Sequence, residues 1–186
     1  NNLVTLKIGL DLGINTVNEF LDKINFYNKY SYTDVYSTLL GAVENNLLYL
    51  TKSYSIFLNG GYIVEPSIIK KVVSSEGELI INNDYFKCNY CTFSNEDRSY
   101  RKPIIESQKE KVISSQTSFQ ILSILEGAVK RGTGKSLNKI DYPIAGKTGT
   151  TNESKDLWFF GLTPRYIIGV YVGYDTPKSI GYRETG

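Results

Sequence analysis

The stretch Ala145-Gly146-Lys147-Thr148-Gly149-Thr150-Thr151-Asn152 decides how this chain of 186 residues is read. With Ile144 it forms a β-rich run, Ile144 to Thr150, that places lysine, threonine and glycine in succession where packing alone would ask for none of them. In a strand, Lys147 and Gly149 share one face and Thr148 and Thr150 the other. Glycine weakens a strand unless something must approach the backbone closely. Lysine beside hydroxyls supplies a fixed positive charge and hydrogen-bond donors, which suits a carboxylate or the lowering of a neighbouring hydroxyl's pKa. An edge strand carrying those groups can pair with an extended peptide. On these residues alone the plainer reading, a solvated lysine beside a turn glycine, is the favoured one.

Downstream, Leu157 to Gly161 and Tyr166 to Tyr174 are β-rich and joined only by Leu162-Thr163-Pro164-Arg165, so they are expected to be antiparallel neighbours. Upstream, a helix is expected from about Thr117 to Arg131, capped by Ser115 or by the Thr117/Gln120 pair and stopped by Gly132-Thr133-Gly134. Further back, Leu47, Leu50, Tyr54 and Phe57 mark a helix from about Asn46 that stops at Asn59-Gly60-Gly61. Two helical patterns open the chain: Leu3, Leu6 and Leu10, then Val17, Phe20, Leu21 and Ile24 after Gly13, with Asn15 or Thr16 placed to cap the second. A strand pair, Tyr62 to Val73 and Glu78 to Ile81, is expected to turn at Ser75-Glu76-Gly77, with Pro66 marking the first strand as an edge. Residues 82–107 are polar and long for a connection, and read as a surface loop excursion. The element order predicts an α+β fold, helices packed on an antiparallel sheet.

Composition narrows the chemistry. There is no histidine, which excludes Ser-His-Asp triads, Cys-His dyads and histidine-ligated metal sites within the chain. Acid–base work falls to Lys, Asp, Glu, Tyr or Cys. There is no methionine either, and the chain is read as a fragment or a processed piece. A net charge of +2 provides no basic face for nucleic acid. No stretch reaches the roughly 18 apolar residues of a membrane helix. Cys88 and Cys91 form a lone C-x-x-C, too few ligands for zinc, in surroundings that read as loop; a local disulfide or two idle thiols is expected, with no metal site. Gly132-Thr133-Gly134-Lys135-Ser136 ends like a phosphate-binding loop, but its first glycine would fall at Val129 and a helix precedes it, so nucleotide binding is rejected.

Lys147-Thr148-Gly149 matches the K-T-G signature shared by penicillin-binding proteins and serine β-lactamases. The wider context is narrower. Gly146 to Asn152, Asp156-Leu157-Trp158-Phe159, Gly161, Thr163-Pro164 and the run Gly169 to Asp175 resemble the bifunctional class A penicillin-binding proteins, as do Gly132-Thr133-Gly134 and Glu184-Thr185-Gly186. Phe57-Leu58-Asn59-Gly60-Gly61-Tyr62 resembles the F-A-N-G-G-Y segment of the same family. The resemblance spans nearly the whole chain, most weakly over 82–107, and is taken to cover 1–186 as one portion of a domain.

This resemblance implies the C-terminal portion of a transpeptidase (penicillin-binding) domain, truncated at both ends, in the fold shared with serine β-lactamases. Lys147 resembles the lysine that shapes the site's electrostatics and assists proton transfer. Thr148 and Thr150 look like hydroxyl donors to a substrate carboxylate, and the Thr150 backbone N–H like one oxyanion-hole donor. Gly149 would let a peptide lie against the strand. Asn2 falls where the asparagine of the S-x-N motif belongs, to bind the substrate amide, with its serine just before Asn1. The nucleophile serine of S-x-x-K is expected to be absent: no serine precedes lysine by three at a plausible helix start, and Ser136 with Lys139 has the spacing inside a loop. The whole enzyme would then cross-link peptidoglycan stem peptides through an acyl-serine, be acylated by β-lactams and need no cofactor. It would sit on the extracytoplasmic face of the bacterial membrane, with its anchor and glycosyltransferase part upstream, and the chain alone would be inactive. A serine β-lactamase or D,D-carboxypeptidase relative, or a non-catalytic scaffold, are the alternatives.

Overall fold

The computed structural model describes residues 2–24, 26, 36–41, 43–89, 102–107 and 109–181. The helices are α1 (Asn2–Leu12), α2 (Ile14–Lys23), α3 (Leu47–Leu58) and α4 (Ser115–Arg131). The strands are β1 (Lys71–Val73), β2 (Leu79–Asn82), β3 (Phe86–Asn89), β4 (Ile104–Ser107), β5 (Ala145–Thr150), β6 (Asp156–Leu162) and β7 (Ile167–Gly173). They fall into two compact units: Asn1–Ile63 with Lys111–Gly186, and Val64–Glu110.

The larger unit is built on the antiparallel sheet β5-β6-β7, with β5 at one edge. Lys147 stands opposite Phe160, Thr148 opposite Phe159 and Gly149 opposite Trp158. Trp158 in turn faces Tyr171, and Phe160 faces Gly169. Directly opposed residues point to the same face, so the face that holds Lys147 also holds Phe160, Trp158 and Tyr171. Helices α3 and α4 cover part of this face. Leu125 of α4 packs with Ala145 and Leu162, and Tyr54, Phe57, Leu58, Ile121 and Leu122 close around them. The Tyr54 ring lies parallel to that of Phe160, centroids 4.7 Å apart. Burial there pushes the Tyr54 hydroxyl up to about 12. A second cluster, Ile24, Ile56, Ile63 and Val112, joins the end of α2 to α3.

Glycine fastens α3 to α4. Gly61 takes φ 95°, open to glycine at little cost, and its carbonyl accepts the Val112 amide at 2.8 Å. A Cβ at Gly61 would stand 2.1 Å from the Ile113 carbonyl oxygen. The Ser115 hydroxyl donates to the Gly60 carbonyl at 3.0 Å. That of Ser118, buried, donates to the Phe57 carbonyl at 2.8 Å, near the α3 end where carbonyls lack helical partners.

Helix caps correct the sequence reading in two places. Ser114, not Ser115 or Thr117, caps α4: its side chain accepts the Thr117 amide at 3.0 Å, while Ser115 is already helical and bonded to Gly60. Neither Asn15 nor Thr16 caps α2, because a single residue, Gly13, separates α2 from α1 and both are already inside the helix. Asn46 caps α3, accepting the Tyr49 amide at 2.8 Å.

The smaller unit holds two hairpins. β1 pairs with β2 around the turn at 74–78, where the Ser74 amide donates to the Glu78 carbonyl at 2.8 Å. The first strand is far shorter than Tyr62 to Val73: Tyr62 makes one isolated bridge, to Lys111, and regular pairing starts at Lys71, beyond Pro66, which lacks an amide to donate. Within 82–107, read as loop, β3 pairs with β4 from Phe86 opposite Ser107 to Asn89 opposite Ile104. Asp84 takes Lys71 at 2.9 Å and Lys70 at 3.6 Å, and the Lys71 hydrogen bond holds its carboxyl below the usual range. Cys88 is disulfide-bonded; Cys91 lies outside the described residues.

Candidate active site

Strand β5 brings Lys147, Thr148, Gly149 and Thr150 together on the sheet edge. Lys147 and Thr150 are exposed, and Thr148 and Gly149 half-buried. The ammonium of Lys147 donates to the Thr148 carbonyl of its own strand. The Thr148 hydroxyl meets that of Thr133 at 2.9 Å, oxygen to oxygen. Thr133 stands in the turn that ends α4, where the Gly132 and Gly134 amides both donate to the Ala128 carbonyl at 3.1 Å.

The two glycines of the strand have packing reasons to be glycine. A Cβ on Gly146 would come 2.7 Å from the tip of the Phe159 ring. At Gly149 it would lie 3.1 Å from the Trp158 Cβ, tighter than side chains ordinarily meet. Gly149 therefore serves the cross-strand tryptophan as well as any ligand on that face.

Beyond Thr150 the chain turns sharply. Glu153 and Ser154 both take positive φ, 61° and 49°, a conformation side chains resist. The turn is tied down on several sides. Thr151 donates its amide to the Asp156 carbonyl at 3.1 Å, and its hydroxyl accepts the Asp156 amide at 2.8 Å. The Ile180 amide donates to the Ser154 carbonyl at 2.9 Å, and Lys155 pairs with Glu153 at 2.8 Å. Tyr171 donates its hydroxyl to the Asp156 carboxylate at 2.8 Å, and this bond holds the phenol above its ordinary pKa.

Asn2 is placed apart in the chain, exposed on the first turn of α1, whose main packing partners are α2 and the 3₁₀ turn Tyr36–Leu40 rather than β5. The S-x-x-K spacing occurs at Ser136 and Lys139, in the 3₁₀ turn Lys135–Lys139. It recurs at Ser67 and Lys70, which the sequence reading passed over; Ser67 lies in an irregular stretch before β1, its hydroxyl bonded to the Ile69 carbonyl at 2.6 Å. A third pair, Ser99 and Lys102, has its serine outside the described residues. Neither described serine opens an α-helix.

Thr133 and Asp156 are the residues the sequence reading did not assign to the site. Both carry the family resemblance without a role, and Thr133 in addition lies in the Gly132-Thr133-Gly134 helix stop. The signals for Thr133 are that resemblance and a hydroxyl between two glycines just ahead of the K-T-G strand.

Comparison with known proteins bears on the family and the fold. Penicillin-binding protein 1A of Rickettsia conorii is 38% identical over the whole of this chain, which spans 23% of that protein's length. Penicillin-binding protein 1A of Neisseria lactamica is 32% identical over 97% of the chain, again about a fifth of the relative, 20%. The fold matches the crystal structure of penicillin-binding protein 1A from Haemophilus influenzae with a TM-score of 0.72 and 24% identity, over 99% of this chain and 30% of that one. It also matches penicillin-binding protein 3 from Mycobacterium tuberculosis, solved with aztreonam, at a TM-score of 0.66 and 21% identity, over 90% of this chain and 42% of that one. The family model of the penicillin-binding protein transpeptidase domain runs across residues 1–184, and the chain, as part of such a domain, belongs to that family.

Proposed function

We propose that this chain is the K-T-G-bearing part of a D,D-transpeptidase that cross-links peptidoglycan, within a longer protein resembling the class A penicillin-binding proteins. The observation that carries the reading is the edge strand β5, which presents Lys147, Thr148 and Thr150 beside one another at the rim of an antiparallel sheet. In this reading a D-Ala-D-Ala stem peptide lies along β5. Its terminal carboxylate is taken by the hydroxyls of Thr148 and Thr150, and the Thr150 amide stabilises the oxyanion. Lys147 provides the positive field in which the donor carboxylate settles and a proton is passed at the S-x-N serine. Asn2 binds the peptide amide. The nucleophile is a different serine, that of an S-x-x-K segment elsewhere in the protein: it forms the acyl-enzyme with the stem peptide and is acylated by β-lactams. The site works on the extracytoplasmic face of the membrane, with an anchor upstream; among the described residues no helix is long and apolar enough to cross a membrane.

A fluorescent penicillin tests this. The full-length protein is expected to be labelled covalently, Lys147→Ala to lower the labelling rate at least tenfold, and the 186-residue chain alone to stay unlabelled. Labelling of any serine in the isolated chain, or an unlabelled full-length protein, overturns the reading.

A further inference from the structure

We propose that Thr133 is a positioning residue for Thr148: its hydroxyl donates to Thr148 Oγ1 and so leaves the Thr148 proton directed outward, to the carboxylate of a substrate or β-lactam. The inference rests on the reading of β5 as the substrate strand and adds to it a residue from a different element.

A threonine hydroxyl has one hydrogen and two lone pairs. The two oxygens are 2.9 Å apart, and either can be the donor. If Thr148 donated, its only hydrogen would be spent on Thr133 and it would meet an arriving carboxylate with lone pairs alone. If Thr133 donates, Thr148 keeps its hydrogen for the anion, and its oxygen is polarised by the bond it accepts. A carboxylate at the strand therefore selects the second arrangement.

The framework fits such a role. Thr148 is β-branched and lies within a strand, so its rotamer is stiff and chiefly the hydroxyl hydrogen is left to turn. Thr133 is anchored from both sides, because the glycines flanking it each donate an amide to Ala128 at the end of α4. Gly134 is buried, and a Cβ there would already touch Val129 at 3.4 Å. The Thr133 side chain itself is exposed, so removing its hydroxyl leaves no buried hole.

The experiment is a double-mutant cycle on the full-length protein, reading the second-order rate of acylation by a fluorescent penicillin that carries the usual carboxylate. Thr133→Val is expected to slow acylation about threefold to tenfold, the range that one net hydrogen bond commands. Thr133→Ser is expected to restore it. In a Thr148→Val background the same Thr133→Val change is expected to cost less than about twofold, because a residue that acts through Thr148 has nothing left to act on. Thr133→Ala removes the same hydroxyl and carries the same expectation should the valine variant fail to fold. An equal loss in both backgrounds makes Thr133 a general structural residue and overturns the proposal, as does no loss in either. A wild-type protein that is not acylated at all fails earlier, on the reading of β5 itself, and is distinguished by that.

Discussion

Replacing Gly61 by alanine is expected to cost about 3–5 kcal/mol, and its neighbour Gly60 provides the control. Both glycines take positive φ, 62° at Gly60 and 95° at Gly61. A side chain in such a conformation costs about 1–3 kcal/mol. The two positions differ in what surrounds them. A Cβ at Gly60 meets only the Ser115 hydroxyl, at 3.7 Å, an ordinary contact. At Gly61 it falls 2.1 Å from the Ile113 carbonyl oxygen, about 1.2 Å inside the ~3.3 Å at which carbon meets such an oxygen. Relief requires residues 111–113 to move away, which gives up the Val112 amide bond to Gly61 at 2.8 Å and the longer one from Ile113 at 3.3 Å. At about 1 kcal/mol each these add ~2 kcal/mol to the conformational cost. Both substitutions share the entropy that alanine removes from the unfolded chain, so that term cancels in the comparison. Gly60→Ala is therefore expected to cost about 1–2 kcal/mol, and Gly61→Ala at least ~2 kcal/mol more. Urea unfolding followed by tryptophan fluorescence measures both, because the chain has a single tryptophan, Trp158 in the central strand, whose ring stacks on Phe160 and lies tilted against Tyr171. Costs equal within about 0.5 kcal/mol, the scatter expected between independent sites, would refute the claim that close approach to Ile113 is what demands glycine.

Leu162, 1% exposed and packed against Leu125 and Ala145, is expected to cost about 2–5 kcal/mol as Leu162→Ala in the same unfolding assay. Ser118→Ala leaves the carbonyls of Ile56 and Phe57 without their buried donor. It is expected to destabilise by about 1–3 kcal/mol, with cysteine or glycine no better; a neutral result would show that water replaces the hydroxyl. Tyr171 is expected to titrate above the ordinary ~10 of tyrosine by carbon NMR of the ring, and Asp156→Asn to bring it down. Because its folded pKa lies above the unfolded one, the bond's contribution to stability is full below about pH 10 and is lost as pH climbs through the folded value. A Tyr171 signal that titrates identically in both proteins would rule out the bond.

The three strands that carry the site were legible from local signals. β6 and β7 are apolar runs separated by a short Thr-Pro turn, and β5 runs from Ala145 through the Lys-Thr-Gly triplet to Thr150. What escaped was decided by tertiary contact. Ser114 and Ser115 both qualify as caps, and only the Gly60 carbonyl, reached by Ser115 across 55 residues, assigns each its place. Ile68 and Ile69 look like strand, yet the strand begins at Lys71. β3 is a four-residue strand, Phe86-Lys87-Cys88-Asn89, with a distant partner, so its period is too short to stand out from polar loop. The site divides in the same way. Lys147, Thr148, Gly149 and Thr150 come from a contiguous motif, whereas Thr133 reaches Thr148 across 15 residues and through the end of a helix.

The run Phe57 to Tyr62 and the strand β5 look unrelated in the sequence, but they are mechanically joined. Gly60 and Gly61 bind the segment leading into α4 through Ser115 and Val112, and Ser118 bonds α4 directly to the last carbonyls of α3. Through Leu125 and Ala145, α4 then fixes the first residue of β5, and through Thr133 it meets the fourth. One helix therefore sets both where the strand lies and how its threonine is bonded. A lesion at Gly61 that leaves the chain folded should consequently be felt at Thr148 more than at Lys147, whose ammonium is held by its own strand. The chemistry at β5 depends on a glycine turn that touches none of its side chains, which is a physical reason for the two segments to occur together in one domain.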